Sequence, residues 1–343
     1  MEKVNITDLT MDQLRSFLEE MGEQPFRAKQ IFSWIYKGVD QFEEMTNLSK
    51  TLREKLEEQA HFGSMEIIRV LKSKNDGTRK YLFRLEDGNI IESVFMKYKY
   101  GNSICISSQA GCRMGCHFCA SGLDGLRRGL TPGEMAGQIL TTEKDTGEKI
   151  NHVVVMGTGE PFDNYENLLS FLKNIHEKEG LGISLRNMTV STCGMIPQIK
   201  AFAKEMKQVN LAVSLHSADD VLRSSMMPVN KKYPVDQLID TCREYGRQTG
   251  RRVTFEYALV KGKTDTKEQI DILAKKLKGM LCHVNLIPLN EVKETDLSAS
   301  SRKRAAEIAQ YLEKQGVPTT IRRELGADIQ AACGQLRLGE LQK

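Results

Sequence analysis

The sequence has no long apolar run, and none at its start, where Met1-Glu2-Lys3-Val4-Asn5 opens the chain. A bilayer-spanning helix needs roughly 20 consecutive apolar residues, so a cytoplasmic protein without a membrane partner is expected. No sign of charge dominates: 49 Lys and Arg against 45 Asp and Glu leave +4. That balance neither demands nor forbids nucleic acid, because clustering rather than the total makes an electrostatic footprint. Internal repeats and low-complexity tracts are also missing. The eight cysteines lack the look of a disulfide framework. They fit a reducing compartment, where grouped thiols bind metal and isolated ones fill cores or do chemistry. What remains is ordinary: 343 residues, 40% hydrophobic and 27% charged, read as one large globular domain with a smaller one.

One stretch is not ordinary. Cys112-Arg-Met-Gly-Cys116-His-Phe-Cys119 places three thiols at C-x3-C-x2-C spacing in one loop. A structural zinc site wants four protein ligands, with His117 or a distant residue completing the set. A four-iron cluster wants one thiolate per iron, and three local cysteines leave one iron open to a substrate. With Phe118 directly before the third cysteine, the loop resembles the C-x3-C-x-aromatic-C signature of the radical S-adenosylmethionine (SAM) superfamily. The resemblance implies a 4Fe–4S cluster on Cys112, Cys116 and Cys119, with SAM chelated at the open iron.

Along the chain, residues 6–60 read as helices. Thr10 can cap a stripe of Leu14, Phe17, Leu18 and Met21, and Gly22 ends it. Pro25 can open a second helix, and a third begins near Ser49. Residues 65–98 alternate β-branched and aromatic positions with charge, turning at Asn75-Asp76-Gly77 and Glu86-Asp87-Gly88-Asn89. Their Lys72, Lys74, Arg79, Lys80, Arg84, Lys97 and Lys99 suit either solvated strands or an RNA-facing surface. From residue 103, apolar strands alternate with amphipathic helices near 131–145, 164–178, 196–206, 234–249, 266–278 and 300–315. The strands are Ser103–Ser107, His152–Met156, Met188–Ser191, Leu211–Ser214, Val253–Ala258, Val284–Pro288 and Thr319–Arg322. That rhythm predicts a parallel α/β sheet. Polar and glycine-rich residues gather at the strand ends, as at a barrel mouth. The expected fold is a partial (β/α)6 barrel over 101–343, behind a helical unit over 1–62 and a small antiparallel β extension over 63–100.

Gly157-Thr158-Gly159-Glu160-Pro161 alone is compatible with plain turn chemistry. With Ser191, Ser214-Leu215-His216, Asn290 and the segment Arg322-Arg-Glu-Leu-Gly-Ala-Asp-Ile-Gln-Ala-Ala-Cys333-Gly-Gln-Leu336, nearly the whole chain resembles the RlmN/Cfr family of RNA adenine methyltransferases. The resemblance implies SAM contacts at Gly159, Glu160, Ser191, Ser214, Leu215, His216 and Asn290. It makes Cys333 a methyl carrier, Cys105 its resolving partner through a disulfide, and Glu92 the general base. Two SAM molecules per turnover, 23S rRNA and tRNA substrates, and an external electron donor such as flavodoxin are implied as well. Thr158 and Cys193 depart from the family's usual Met and Ser. By themselves Glu92 is a strand carboxylate and Cys105 a buried thiol; Cys242 and Cys282 read as core thiols. The alternatives are adenine C8 methylation, a glycyl-radical activase, and a zinc-stabilised RNA-binding module. The dibasic pairs Arg127-Arg128, Lys231-Lys232, Arg251-Arg252 and Arg322-Arg323 are solvated surface or a phosphate-binding rim.

Overall fold

The computed structural model describes residues 3–289, 297–329 and 331. Asn290 and Cys333 lie outside the described residues. At the N-terminus, β1 (Val4–Asn5) and β2 (Ala60–His61) pair in parallel around α1 (Met11–Glu20), α2 (Arg27–Ile35) and α3 (Lys50–Gln59). Thr10 starts α1 with a reciprocal capping box to Gln13, and Ser49 caps α3 through the Leu52 N–H. Both satisfy amides that a helix start leaves without partners.

The next four strands form a meander: β3 (Met65–Lys72), β4 (Arg79–Leu85), β5 (Ile90–Tyr98) and β6 (Gly101–Ile106). Its first two turns carry Gly77 at φ +74° and Gly88 at φ +81°, as expected. A short antiparallel pair, β7 (Gln109–Gly111) and β8 (Leu126–Gly129), brackets the cysteine loop. Then follow α4 (Pro132–Thr146), β9 (His152–Val155), α5 (Tyr165–His176), β10 (Met188–Thr192), α6 (Ile196–Glu205) and β11 (Asn210–Ser214). The chain continues through α7 (Asp220–Met226), α8 (Val235–Thr249), β12 (Val253–Leu259) and α9 (Lys267–Leu277). It ends in β13 (Cys282–Pro288), α10 (Arg302–Lys314) and β14 (Thr319–Ile321).

One ten-stranded sheet runs β14-β13-β12-β11-β10-β9-β6-β5-β4-β3. From β6 through β9 to β14 all neighbours are parallel, and among the described residues no pairing closes the sheet. The antiparallel extension is not a separate sheet. It joins the barrel edge where β5 pairs with β6, Val94 opposite Cys105. The N-terminal unit is likewise continuous with the barrel core, which runs from Ile6, Leu14 and Leu56 to Met135, Phe171 and Val213. Helix α7 was not anticipated. Its seven residues are too few for a readable apolar period, although Asp219 caps it through the Leu222 N–H at 2.7 Å.

Several charges expected to face RNA are committed elsewhere. Arg79 reaches Asp145 at 2.9 Å, Arg84 reaches Glu66 at 2.9 Å, and Lys80 is buried. Arg128 is shared between Asp87 and Glu134. The dibasic pairs do not ring one mouth: Arg251 and Arg252 precede β12, at the opposite end of the barrel from Arg322, which follows β14. Sequence clustering overestimated this basic face because it cannot show which cations have carboxylate partners.

Candidate active site

The cysteine loop folds over the C-terminal ends of the parallel strands. Gly111, at φ +78°, lets the chain leave β7; a Cβ there would fall 1.9 Å from the Gly125 carbonyl oxygen. The loop is tied by the Cys112 N–H to Gly125 O at 3.0 Å and the His117 N–H to Met226 O at 3.0 Å. Cys112, Cys116 and Cys119 line one cavity with Phe118, Gly157, Gly159, Glu160, Ser191, Ser214 and His216. His117 is exposed and does not line it, so the zinc alternative does not find its fourth ligand in His117.

The thiols fit a cluster on chemical grounds. Burial pushes Cys112 up to about 11 and raises Cys116 further, and the neighbouring thiols add to both shifts. Such groups hold their protons until a metal displaces them. Among the described residues no three His, Cys, Asp or Glu side chains converge as a single-ion site needs. A cluster makes no such demand, since each thiolate takes a different iron.

Opposite the cysteines, the Gly-rich loop is pinned by backbone groups. Gly159 sits at φ +109°, with any Cβ only 2.6 Å from that of Gln109. Gln109 in turn accepts the Glu160 N–H at 2.8 Å. The Glu160 carboxylate accepts the N–H groups of Phe162 at 3.0 Å and Cys193 at 2.7 Å. Burial still raises its pKa above the usual carboxylate value. Thr158 and Cys193, the two departures from the family pattern, contribute backbone groups here. Thr158 O accepts from Ser108 and Gln109, and Cys193 O accepts from Arg223. Those roles do not depend on the side chain, but the Cys193 thiol also hydrogen-bonds the Glu160 carboxylate and lines the cavity.

His216 occupies the left-handed region at φ +56°. Its Nδ1 accepts the Ala258 N–H at 3.0 Å, and burial pushes the ring down to about 3. A neutral ring accepting at Nδ1 carries its proton on Nε2. His216 therefore offers the cavity a donor, edge-on to Phe118 with centroids 4.5 Å apart. Leu215 does not line the cavity. Its side chain is buried in the core, and its N–H donates to Glu256 O at 3.0 Å.

Arg223, which the sequence reading passed over, is fully buried. It donates to Cys193 O at 2.7 Å, Leu215 O at 3.0 Å, Ser214 O at 3.1 Å and Asn230 Oδ1 at 2.8 Å. It thereby ties the ends of β10 and β11 into one floor. Its only sequence signal was position within a short helix.

A second cavity adjoins the first, and Ile287 and Arg322 line both. It holds Cys105, Val94, Met96, Leu325 and Ala331. Cys105 is buried. The segment entering this cavity is fastened to the β3–β4 turn. Asp76 accepts the Gly326 N–H at 2.9 Å, and Asp328 accepts the Lys74 N–H at 3.0 Å. Glu92 is buried on β5, on the face that Val94 and Met96 share, one pleat nearer the mouth than Cys105.

The geometry agrees with known proteins. Residues 106–276 match the radical SAM superfamily, and residues 4–62 match the ribosomal RNA large subunit methyltransferase N-terminal domain. A relative from Alkaliphilus oremlandii is 53% identical over 342 residues, covering 100% of both chains. Another, from Clostridium novyi, is 52% identical over 334 residues and covers 97% of each. Both are named probable dual-specificity RNA methyltransferase RlmN. The chain belongs to the RlmN family. A crystal structure of a radical SAM methyltransferase from Sphaerobacter thermophilus superposes with TM-score 0.92 at 43% identity, covering 98% of this chain and 99% of that one. This RlmN-family protein is thus a radical SAM methyltransferase, and the superfamily implies SAM and a 4Fe–4S cluster.

Proposed function

We propose that this protein methylates C2 of adenosine in RNA, both in 23S rRNA at the peptidyl transferase centre and in tRNA 3′ of the anticodon. The observation that carries this reading is the second cavity. Ala331, two residues before Cys333, lines it beside Cys105, and it abuts the cavity of the three cluster thiols. A methyl carrier and its resolving thiol have to meet next to a radical source, and this layout suits that need.

C2 is an electron-poor carbon between two ring nitrogens and does not attack a sulfonium methyl directly. A thiolate does, so Cys333 takes the methyl of a first SAM by displacement. Cys112, Cys116 and Cys119 would hold the 4Fe–4S cluster, which with a second SAM would supply the radical chemistry that removes a hydrogen atom from this S-methyl group. Gly159, Glu160, Ser191, Ser214 and His216, which line the cavity, would hold the SAM molecule together with Asn290, and Leu215 would act only through its backbone. Once C2 is joined to the Cys333 sulfur through the methylene, the adduct's unpaired electron would return to the oxidised cluster, and Glu92 accepts the C2 proton. Cys105, as thiolate, then attacks the Cys333 sulfur; the carbon–sulfur bond breaks with its electron pair going to the methylene carbon, which takes up a proton to become the methyl group, and a disulfide remains in the enzyme. The relatives' printed name supports RNA as substrate, and a flavodoxin-type donor supplies the electrons. Because C2 is buried in a duplex stack, the target adenosine has to be unstacked.

Mass spectrometry of 23S rRNA and tRNA from cells with and without this protein tests the reading. 2-Methyladenosine is expected in both RNAs, and 8-methyladenosine in its place would reassign the reaction. Cys105→Ala is expected to trap a ribonuclease-sensitive protein–RNA adduct. Normal turnover by that variant would sink the two-cysteine mechanism.

A further inference from the structure

We propose that Lys80 is the positioning residue of Glu92, so that the β3–β5 extension supplies the proton-accepting half of the active site. This rests on the reading of Glu92 as base. Lys80 on β4 and Glu92 on β5 are each only 4% exposed, with Nζ 2.9 Å from Oε1. In the β4–β5 register Leu82 lies opposite Glu92 and Lys80 opposite Val94, so the pair is a diagonal contact on the inner face. Arg79, on the other face of β4, reaches Asp145, and Arg84, on the same face as Lys80 but exposed near the strand end, reaches Glu66. Lys80 is the buried one of these three.

Burying two charges is costly, and an apolar pair of similar volume often stabilises a fold at least as well. A buried pair beside a reactive cavity is therefore better explained by what it does to the carboxylate. The ammonium favours the ionised form and fixes one oxygen. Glu92 is held from its backbone as well. The Ser107 hydroxyl donates to Glu92 O at 2.6 Å and accepts the Thr158 N–H at 3.0 Å. Ser107 is clamped by Gln138, which accepts its N–H at 2.8 Å and donates to its carbonyl at 3.0 Å. The position of Glu92 is thus coupled to the SAM-side loop through one buried hydroxyl. The step that Lys80 supports is a proton transfer only: the C2–H bond breaks, its electron pair stays on carbon, and the carboxylate becomes a carboxylic acid.

The full protein, with reconstituted cluster, SAM and RNA, distinguishes this role from a structural one. Lys80→Met is expected to keep iron content, SAM cleavage and methylation of Cys333. Release of product should slow on the order of tenfold to a hundredfold, with RNA-linked protein accumulating. Without its counter-charge the carboxylate is a less ready proton acceptor, so adduct decay in this variant should depend more steeply on pH than in the parent, faster at the alkaline end. Among the described residues, the other titratable or charged groups lining the adjoining cavity are Cys105 on β6 and Arg322, Arg323 and Glu324 after β14. They are unchanged in the variant and cancel against the parent. Lys80→Arg should restore release. Parental release by Lys80→Met overturns the inference, as does joint loss of iron, SAM cleavage and product, which would make Lys80 structural. Glu92→Gln separates the two readings. If it turns over normally, the base assignment itself fails; if it traps adduct while Lys80→Met does not, only the role of Lys80 fails.

Discussion

His216 combines three constraints in one residue: a positive φ, complete burial, and an Nδ1 committed to the Ala258 N–H. Its depressed pKa has a consequence for stability. In the unfolded chain the ring titrates near 6.5, but in the fold only near 3. Between those values the unfolded state binds more protons, so stability falls as pH drops below about 6.5. From neutrality to about pH 5 the loss due to this ring is about 2 kcal/mol. His216→Asn keeps a side chain that tolerates the left-handed region and removes the titration. Denaturant midpoints of parent and variant across this pH range should therefore converge as pH falls. Parallel curves would show that the ring does not titrate differently in the two states. Sequence inspection marks His216 as a site residue but cannot reveal its tautomer, which is set by a strand 42 positions away.

At the scale of elements, the β3–β4 hairpin has a second task besides any contact with RNA. Its turn holds the C-terminal segment through Asp76 and Asp328, and both carboxylates are held below the usual range by the hydrogen bonds they accept. Residues 322–329 are thereby brought alongside Cys105. Asp76→Ala with Asp328→Ala should release this segment without touching the barrel core. Limited proteolysis is expected to cut after Arg322 or Arg323 at least severalfold faster in the double variant, while iron content stays parental. Equal cleavage rates would mean that packing of Leu325 and Ile329 in the apolar cluster around Cys105 is sufficient by itself.

Over the whole molecule, the N-terminal unit is built into the barrel rather than hung from it. The Gly133 N–H donates to Asp8 Oδ1 at 3.0 Å, and Asn174 donates to Leu9 O at 3.1 Å. A Cβ at Gly133 would lie 2.3 Å from Thr7 Oγ1 and 2.9 Å from the Thr7 backbone. Helix propensity favours alanine over glycine by about 1 kcal/mol, so a freely packed helix start would gain from Gly133→Ala. Here overpacking should win, with a net loss of about 1–3 kcal/mol in thermal or denaturant unfolding. Stabilisation by this substitution would show that the two units are docked more loosely than the contacts indicate. The same shared core means that deleting residues 1–60 uncovers apolar surface on α4 and α5. RNA binding by this unit is therefore better tested by surface substitutions than by truncation.

The sequence by itself determined the features whose chemistry is local. Three thiols within eight residues announce a cluster because the loop needs no partner to bring them together. Gly159-Glu160 and the Ser214–His216 stretch are legible for the same reason, as each sits at the end of its own strand. Strand and helix rhythm also survived into the fold, because amphipathic periods are imposed by burial on one face. Tertiary structure decided what depends on residues far apart in the chain. The Lys80–Glu92 pair is a cross-strand diagonal, and the sequence offered Lys80 as one of many surface cations. Arg223 is a staple only because β10 and β11 end beside α7. Cys105 became the neighbour of the C-terminal segment through β5–β6 pairing and the Asp76–Asp328 clasp. Charge, burial and partnership at those positions are properties of where distant strands meet, and no local spacing encodes them.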